Sequence, residues 1–502
     1  MDDVRYDHRV SSCAFFLVLL AACRVGFAST TNYVTTTNEF GPGSLREAIA
    51  AANMLPSSTI LFSNLTGTIV ISTALTVTAN VHVKGPGPDK LTLHTHWSNF
   101  SPLLVSAQST SSVSRLTFEP GGSLVNSGAL AIEGCVFNGT SVQNSGRVGI
   151  KACFFRFASL YGGGVATLQR CVFSNSFRML GVSRGAVEVT DSQFWATTSY
   201  FRDPAIACDS ATLSLNRCSL EGFKRHGEDS SGNLGLPGET ALGAAVYART
   251  SVLSLANCVF AGNSVTGGLG SCFDLCRRAT AGGDGLGGAL YAEGCRVGIT
   301  NCSFVGNEAA GNDAGAAPRF GAPGGIGAGG AVYVAGGQAA LVNCTFSGNR
   351  VWGGSSSPGT LSFSGGGIAG FGGALCVQTA SVMIVNSTLV ANEARGGPSR
   401  QISPVPPWLS GAGFGGGIFA GATSEVRLLN CILYSNTGML SSTSSVAIIV
   451  PSDGSGTFLS EGRNILDVTN GMSGLSMLDL IGLDPQLGPL QAMAVLVPRM
   501  LF

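Results

Sequence analysis

The chain has 502 residues, of which 45% are hydrophobic and 11% charged, with 28 basic against 28 acidic side chains. That balance removes the electrostatic footprint of a nucleic-acid binder, and so much apolar content excludes a disordered chain. The 72 glycines follow no Gly-X-Y period, so this is not collagen; they point to many tight turns between short buried strands.

Residues 14–22, AFFLVLLAA, form an apolar run too short to span a bilayer. With the small residues of Gly26-Phe27-Ala28 they fit a signal peptide over 1–28, although the leading segment mixes Asp2, Asp3 and Asp7 with Arg5 and Arg9. A second reading competes: Leu20-Ala21-Ala22-Cys23 is patterned as a lipobox, which would make Cys23 a lipidated residue. Both readings imply export, to the medium or to the cell surface and outer membrane. No later stretch is patterned as a transmembrane helix or a C-terminal membrane barrel.

GPGSLREAIAAAN (41–53) breaks the β pattern that surrounds it. Ser44 can cap a helix while Glu47 reaches back, and Leu45, Ala48, Ile49 and Ala52 then share one face. One amphipathic helix ahead of a solenoid is expected to act as its lid. TILF (59–62), TIVIS (68–72), NVHVKGPGP (80–88) and LTLH (91–94) read as the first strands and turns.

A repeat follows. NCSFVGN (301–307) has counterparts at NCVFAGN, NCTFSGN, NSTLVAN and NCILYSN. Aligned on its second residue, the units place Leu116, Cys135, Cys153, Cys171, Ser192, Cys218, Cys258, Cys302, Cys344, Ser387 and Cys431 at one position. Phenylalanine or leucine follows two places later each time. The spacings are 19, 18, 18, 21 and 26, then 40, 44, 42, 43 and 44. In the second half each unit gains another anchor, such as GGALYAEG or GGAVYVAGG. Glycine-rich stretches such as 308–328 and 350–371 lie between units and are expected to project as loops from one side. The expected organisation is a signal peptide (1–28), an N-terminal cap with the first coils (29–100), a short-repeat region (101–240), a long-repeat region (241–440), and C-terminal coils with a tail (441–502).

Short alternating strands at a period near 20 suit a β-solenoid, in which each coil stacks on the next at about 4.8 Å. Cysteine and phenylalanine at i and i+2 both face inward, and asparagines suit the bends. Serine and leucine replace cysteine at this position, which suits a packed thiol better than a metal ligand or a nucleophile. No CxxC pair with matching partners suggests zinc. Cys272 and Cys276, in SCFDLC, fall in a predicted exposed loop and could form a local disulfide.

These motifs carry a resemblance. YVTTTNEFGPGSLREAIAAAN and the strands after it, about residues 31–95, are similar to the start of exported right-handed parallel β-helix proteins with an SLREA-type motif. The GGA and FxxN pairs over roughly 240–440, such as Gly288-Ala289-Leu290 with Phe304-Val305-Gly306-Asn307, resemble polymorphic outer membrane protein repeats. GRNILD (462–467) and GLDPQLGPL (482–490) are similar to the C-terminal signature of choice-of-anchor proteins, whose usual continuation is replaced here by QAMAVLVPRMLF. The resemblance implies an all-β, right-handed parallel β-helix of pectin-lyase-like fold, with a short N-terminal α-helical cap, glycine-rich lateral loops and a secreted or surface setting. It implies no single activity.

The densest charge is FKRHGED (223–229). With Asp203 and Asp209 about one coil earlier, His226 and Glu228 could form an acid/base cluster for a polysaccharide lyase or glycoside hydrolase. The competing reading is a solvated loop. His82, His94 and His96 could meet a metal but read as surface residues. The glycine strings lack the lysine of a phosphate loop. Trp352 and Trp408 are candidate ligand contacts, against burial at the loop base. The expectation is a non-catalytic surface protein, without cofactor or metal, whose partners are polysaccharides or cell-surface components.

Overall fold

The computed structural model describes residues 30–488 apart from 96–99, 177, 198–200, 232–234, 318, 358, 360–366, 399–409 and 441–447. The described chain is almost wholly β, with one helix, and it climbs as a parallel β-helix. One coil shows the pattern. Ser123–Asn126, Ala129–Glu133 and Val136–Asn138 form three sides, and Ser141–Asn144 then stacks in parallel on Ser123–Asn126. Alternation buries Leu124, Leu130, Ile132 and Phe137, because successive side chains point to opposite faces of a strand. The first two sides belong to a 26-stranded sheet and the third to a 15-stranded one. In two coils the first two sides fuse into single strands, Leu290–Thr300 and Val332–Val342.

The bend before the third side has one conformation throughout. Arg115, Ala152, Arg170, Asp191, Arg217, Asn257, Asn301, Asn343, Asn386 and Asn430 all have φ between 50° and 57°. Few residues tolerate this region, asparagine among the better ones. Asparagine adds a second benefit here, since Asn257 donates to Asn216 at 2.9 Å and Asn301 to Asn257 at 3.2 Å along the exposed corner. Inside, Phe118, Phe137, Phe155, Phe173 and Phe194 stack with ring centroids 4.4–5.0 Å apart.

The helix Leu45–Asn53 closes the N-terminal end. Ser44 Oγ accepts from the Glu47 N–H, and Glu47 reaches back to the Gly43 N–H at 2.6 Å rather than to the cap residue's own amide. Leu45 and Ile49 meet Leu75, Val83, Leu93 and Phe118 at the end of the core. Asn53 fastens the helix to the first coils, donating to Thr76 O and accepting from Thr78 N.

A buried asparagine ladder runs through the long repeats. Asn307 Oδ1 accepts from both the N–H and the Nδ2 of Asn263, and its own Nδ2 donates to Asn349 Oδ1, each at 3.0 Å. Asn349, Asn392 and Asn436 continue it. Asp453 ends it: Oδ1 accepts from Asn436 Nδ2 at 2.8 Å, while Oδ2 accepts the N–H groups of Asp467 and Val468.

The described parts of the glycine-rich stretches leave the helix on one side, as the repeat implies, and they are more ordered than projecting loops. Their bases form two further sheets, of 7 and 5 strands, parallel except for the last pair of the larger one, where Thr437–Leu440 and Ile448–Pro451 run antiparallel. Beyond these, outgoing and returning arms of successive coils interleave through single hydrogen bonds. Gly283 N donates to Gly268 O, Asn312 N to Gly283 O, Gly325 N to Asn312 O and Gly354 N to Gly325 O, at 2.7–3.0 Å. The backbones pack against one another with no side chain between. A Cβ on Gly325 would lie 1.8 Å from Gly283 O, and one on Gly354 2.1 Å from Asn312 O. The stretches form a flat fin, and close backbone approach accounts for much of its glycine content.

Two predictions follow from this packing. Gly325→Ala is expected to lower stability by about 1–3 kcal/mol through overpacking, with loss of amide hydrogen-exchange protection confined to the fin. Gly149→Ala, whose Cβ would meet only Thr167 Oγ1 at 3.6 Å, is expected to stay within about 0.5 kcal/mol of the parent. Burial raises the Asp453 carboxyl from 3.8 to about 6. The folded state therefore binds that proton more tightly than the unfolded chain. Its contribution to stability is present below about pH 4 and is lost as pH rises through 6. Hydrogen exchange in the C-terminal coils should accelerate between pH 4 and 7, after correction for the intrinsic rate. In Asp453→Asn that dependence should disappear and protection should fall at every pH, because the amide turns a donor toward the two N–H groups.

Candidate functional site

The repeated cysteines come first, since they could carry chemistry. Cys135, Cys153, Cys171, Cys218, Cys258, Cys302, Cys344 and Cys431 are all buried and unpaired. Each sits directly after a left-handed bend, whose geometry turns the cysteine N–H toward the next coil. Cys302 Sγ accepts the Cys258 N–H at 3.4 Å, and Cys153 Sγ accepts that of Cys135 at 3.4 Å. Each thiol also approaches the carbonyl two residues before it, as Cys302 does with Thr300 O at 3.3 Å. Where serine stands at this position it does the same: Ser192 Oγ takes the Cys171 N–H and Ser387 Oγ the Cys344 N–H, both at 3.0 Å. The position is therefore a hydrogen-bonding site as well as an apolar one, which explains why serine substitutes there. Burial pushes the thiols of Cys171 and Cys344 up to about 12 and that of Cys431 to about 11. Nucleophiles and metal ligands are thiolates, so these groups are held in the inert form.

The ladder extends past the last cysteine. In GRNILD, Asn464 takes the cysteine place and its Oδ1 accepts the Cys431 N–H at 2.8 Å, while Leu466 pairs with Leu433. Asp479 follows, accepting from Asn464 Nδ2 at 2.9 Å, with Ile481 against Leu466. Asn464, inside GRNILD, and Asp479, just before GLDPQLGPL, are thus two further rungs of the same ladder, shorter in period and with amide and carboxylate in place of thiol. The repeat spacing hid them, because both rungs follow at shorter intervals than the 40–44 residues of the long repeats and carry an amide or a carboxylate at the thiol position.

The four candidate acid/base residues do not form one cluster. Asp209 ends the strand Ile206–Asp209 on the first side of the helix and pairs with Arg249 at 3.3 Å. Asp203 pairs with Arg178 at 2.7 Å and lines a small pocket with Phe223 and Arg225. His226 and Glu228 share an open groove of about 560 Å³ with Phe201, Arg202, Asp229 and Thr266. There Glu228 is paired with Arg202, and His226 Nδ1 lies 2.6 Å from Gly227 O, to which it donates. Asp203, Asp209 and Glu228 are each matched with an arginine from a neighbouring coil, whereas Asp229 accepts the Leu269 N–H at 2.7 Å and lies 3.9 Å from His226 Nδ1.

The groove has a structural origin. Lys224–His226 is the first strand of the 7-stranded fin sheet, and on its outer side Phe201 N donates to Lys224 O at 2.7 Å while Phe201 O accepts the His226 N–H at 3.0 Å. The outermost strand of a sheet invites pairing with another chain, and charged side chains blunt that tendency. The charge run FKRHGED stands at this edge.

Trp352 sits half-buried on the same sheet, with the Arg395 guanidinium 4.8 Å from its ring centroid and the Arg395–Glu393 pair beside it. Trp408 and Cys23 lie outside the described residues, as do the signal-peptide segment and His96. His82 Nδ1 meets Ser112 Oγ at 2.9 Å. Cys272 and Cys276 are joined, with Cα atoms 4.7 Å apart. Among the described residues no group of three or more histidine, cysteine or acidic side chains is placed to hold a metal ion.

The chain matches no protein-family profile and no curated protein sequence. Among solved structures it is similar to tailspike protein 3 of bacteriophage CBA120, at 10% identity and TM-score 0.31 over 77% of this chain. It spans about half of that tailspike, 54%. It is also similar to the catalytic unit of a GH87 α-1,3-glucanase from Streptomyces thermodiastaticus, at 12% identity and TM-score 0.35, covering 79% of this chain and 70% of that one. A third is PfbA, a surface adhesin of Streptococcus pneumoniae, at 10% identity and TM-score 0.27, covering 84% and 99%. Likeness of this degree carries no argument about chemistry.

The ladder's hydrogen bonds make a testable difference between two small substitutions. Cys302→Ser keeps an acceptor for the Cys258 N–H, whereas Cys302→Ala leaves that buried donor orphaned, at a cost of about 1–3 kcal/mol. Urea unfolding should rank the serine variant above the alanine variant.

Proposed function

We propose that this chain is an exported, non-catalytic β-helix of the cell surface or the medium, which acts through its long lateral face in adhesion, in carbohydrate binding or as a spacer. The observation that carries the reading is the cross-coil pairing of Asp203, Asp209 and Glu228 with Arg178, Arg249 and Arg202. Carboxylates matched in this way and spread over different sides serve cohesion between coils and blunt the edge of the fin sheet. General acid/base work on a sugar chain asks for two carboxyls facing one substrate. The resemblance of residues 1–28 to a signal peptide, or to a lipoprotein signal ending at Cys23, supports export. The resemblance to SLREA-type and polymorphic outer membrane protein repeats supports a surface setting. No described helix is long and apolar enough to cross a membrane. The partners of this reading are polysaccharides or other cell-surface components rather than nucleic acid.

One observation favours a second reading, a polysaccharide lyase or glycoside hydrolase. His226, Glu228 and Asp229 line one open groove. The two readings separate in a panel of pectin, polygalacturonate, alginate, chitin and glycosaminoglycans, with and without calcium. Reducing ends and unsaturated products would be followed alongside pull-down on the insoluble polymers. The expected result is retention on at least one polymer without cleavage, unchanged by His226→Ala and Glu228→Ala. Cleavage that falls roughly 10²–10⁴-fold in those variants would make the groove an active site.

A further inference from the structure

The most strained backbone in the described chain lies at the fin, in the segment Cys272–Cys276. Asp274, Leu275 and Cys276 are consecutive and all left-handed, with φ of 54°, 54° and 59°. Single residues visit this region; runs of non-glycine residues do not, because each Cβ crowds the carbonyl that follows it. Leu275 is 90% exposed, so no core contact holds it there. Two bonds hold the turn: Arg277 N donates to Asp274 O at 3.0 Å, and the Cys272–Cys276 bond closes the ring around it.

The base of the turn is firm. Cys272 and Phe273 pair antiparallel with Ala279 and Arg278. Ser271 N donates to Thr280 Oγ1 at 2.7 Å, and Thr280 N to Ser271 O at 2.8 Å. The next fin arm grips the far side: Ala279 N donates to Phe320 O at 2.9 Å, and the Arg278 guanidinium lies 5.0 Å from the Phe320 ring centroid. Strain is thus confined to the tip, between a fixed base and one sulfur–sulfur bond. The other eleven described cysteines are buried, whereas Cys276 is exposed and stands beside the exposed Arg277. A neighbouring cation attracts an anionic thiolate to Cys276 and stabilises the Cys276 thiolate released in the second exchange.

We propose that Cys272–Cys276 is a thiol-exchange site, and that opening it releases the tip and makes the Arg277–Arg278 segment cleavable. The co-reactant is a low-molecular-weight thiol or an exposed protein thiol. Its thiolate attacks Cys276 Sγ and forms a mixed disulfide; the Cys272–Cys276 bond breaks, and the electron pair leaves on Cys272 Sγ, which takes a proton from solvent. A second thiolate attacks the co-reactant sulfur of the mixed disulfide, which frees Cys276 as a thiolate that is then protonated. The net change is two thiols oxidised to one disulfide as the protein disulfide becomes two thiols. Exposure and the left-handed backbone both favour opening, and the buried cysteines serve as internal controls. While the ring is closed, the turn cannot straighten into the extended form a protease requires; once open, it is an exposed loop tip with two basic residues.

The test uses the full chain, folded, with glutathione as the thiol. After incubation the protein is alkylated with N-ethylmaleimide and mapped by mass spectrometry, and a parallel sample is treated briefly with trypsin. The expected result is alkylation of Cys272 and Cys276 only after glutathione, with the buried cysteines unlabelled, and a new tryptic nick at Arg277 or Arg278 in the reduced sample. Cys272→Ser/Cys276→Ser should be nicked without glutathione. Leu275→Gly, which relieves the backbone while leaving both sulfurs, should open several-fold more slowly. Alkylation of both residues before glutathione would overturn the proposal, as would their resistance to it in the folded protein. Opening without any gain in nicking would overturn the coupling to cleavage.

Discussion

Everything in this fold depends on the amide that follows each bend. The chain turns from the second side of the coil to the third through a left-handed residue, and the next N–H points along the helix axis into the core. Water cannot reach it there, and an unpaired buried donor costs about 1–3 kcal/mol. A side chain at the same position of the following coil satisfies it with Sγ, Oγ or Oδ1, as at Cys302, Ser387 and Asn464. The requirement recurs at every rung, so it fixes register: a coil that slipped by one residue would lose its acceptor and turn its phenylalanine outward together. Cysteine meets both halves of the requirement, being nearly apolar enough for the core and still able to accept.

Directionality explains how the ladders end. An asparagine amide takes a hydrogen bond on one side and gives one on the other, so a column of them always leaves a donor at its last member. A carboxylate accepts on both oxygens and donates nothing when ionised. Asp453 stands where the buried asparagine column stops, and Asp479 where the thiol and amide column stops. At Asp453 the need for an acceptor opposes the cost of burying a charge, and burial prevails in the raised pKa. The N-terminal end is solved differently, by the apolar face of Leu45 and Ile49.

Much of this was legible in the sequence, because periodicity reports directly on a stack. The cysteine and phenylalanine positions, the inward alternation and the helix with its buried Leu45, Ala48, Ile49 and Ala52 all follow from spacing and side-chain type. Hydrogen bonding was less legible. Serine at 192 and 387 was compatible with a merely small residue, and only the geometry shows that its hydroxyl is used. Glycine was the least legible. A run such as GAAPRFGAPGG has the composition of a flexible linker, and nothing in one copy shows that the arms of five coils will bond to each other. Glycine reports that a side chain is missing, not what fills its space. The placement of the charged residues was poorly legible for a related reason: residues about one coil apart can be neighbours, yet Asp209 lies on the helix and Glu228 on the fin.

The same stacking governs what the surface can do. A solenoid repeats its outer positions at the coil spacing, so one charged position becomes a column of charges unless the sign alternates. On the fin sheet it does: Glu308, Arg350 and Glu393 are successive partners in register, and Arg350 approaches Glu393 at 3.8 Å. Alternation of this kind glues coils together and cancels the local field, which leaves little electrostatic steering for a charged polymer over those coils. Recognition by such a face would rest on shape and on the few interruptions of the pattern. The groove at the first strand of the fin sheet is one interruption, and the clasped tip at Leu275 is another. Both lie near the transition from short to long coils, where the stack has to begin a new sheet and the regular pairing is not yet established.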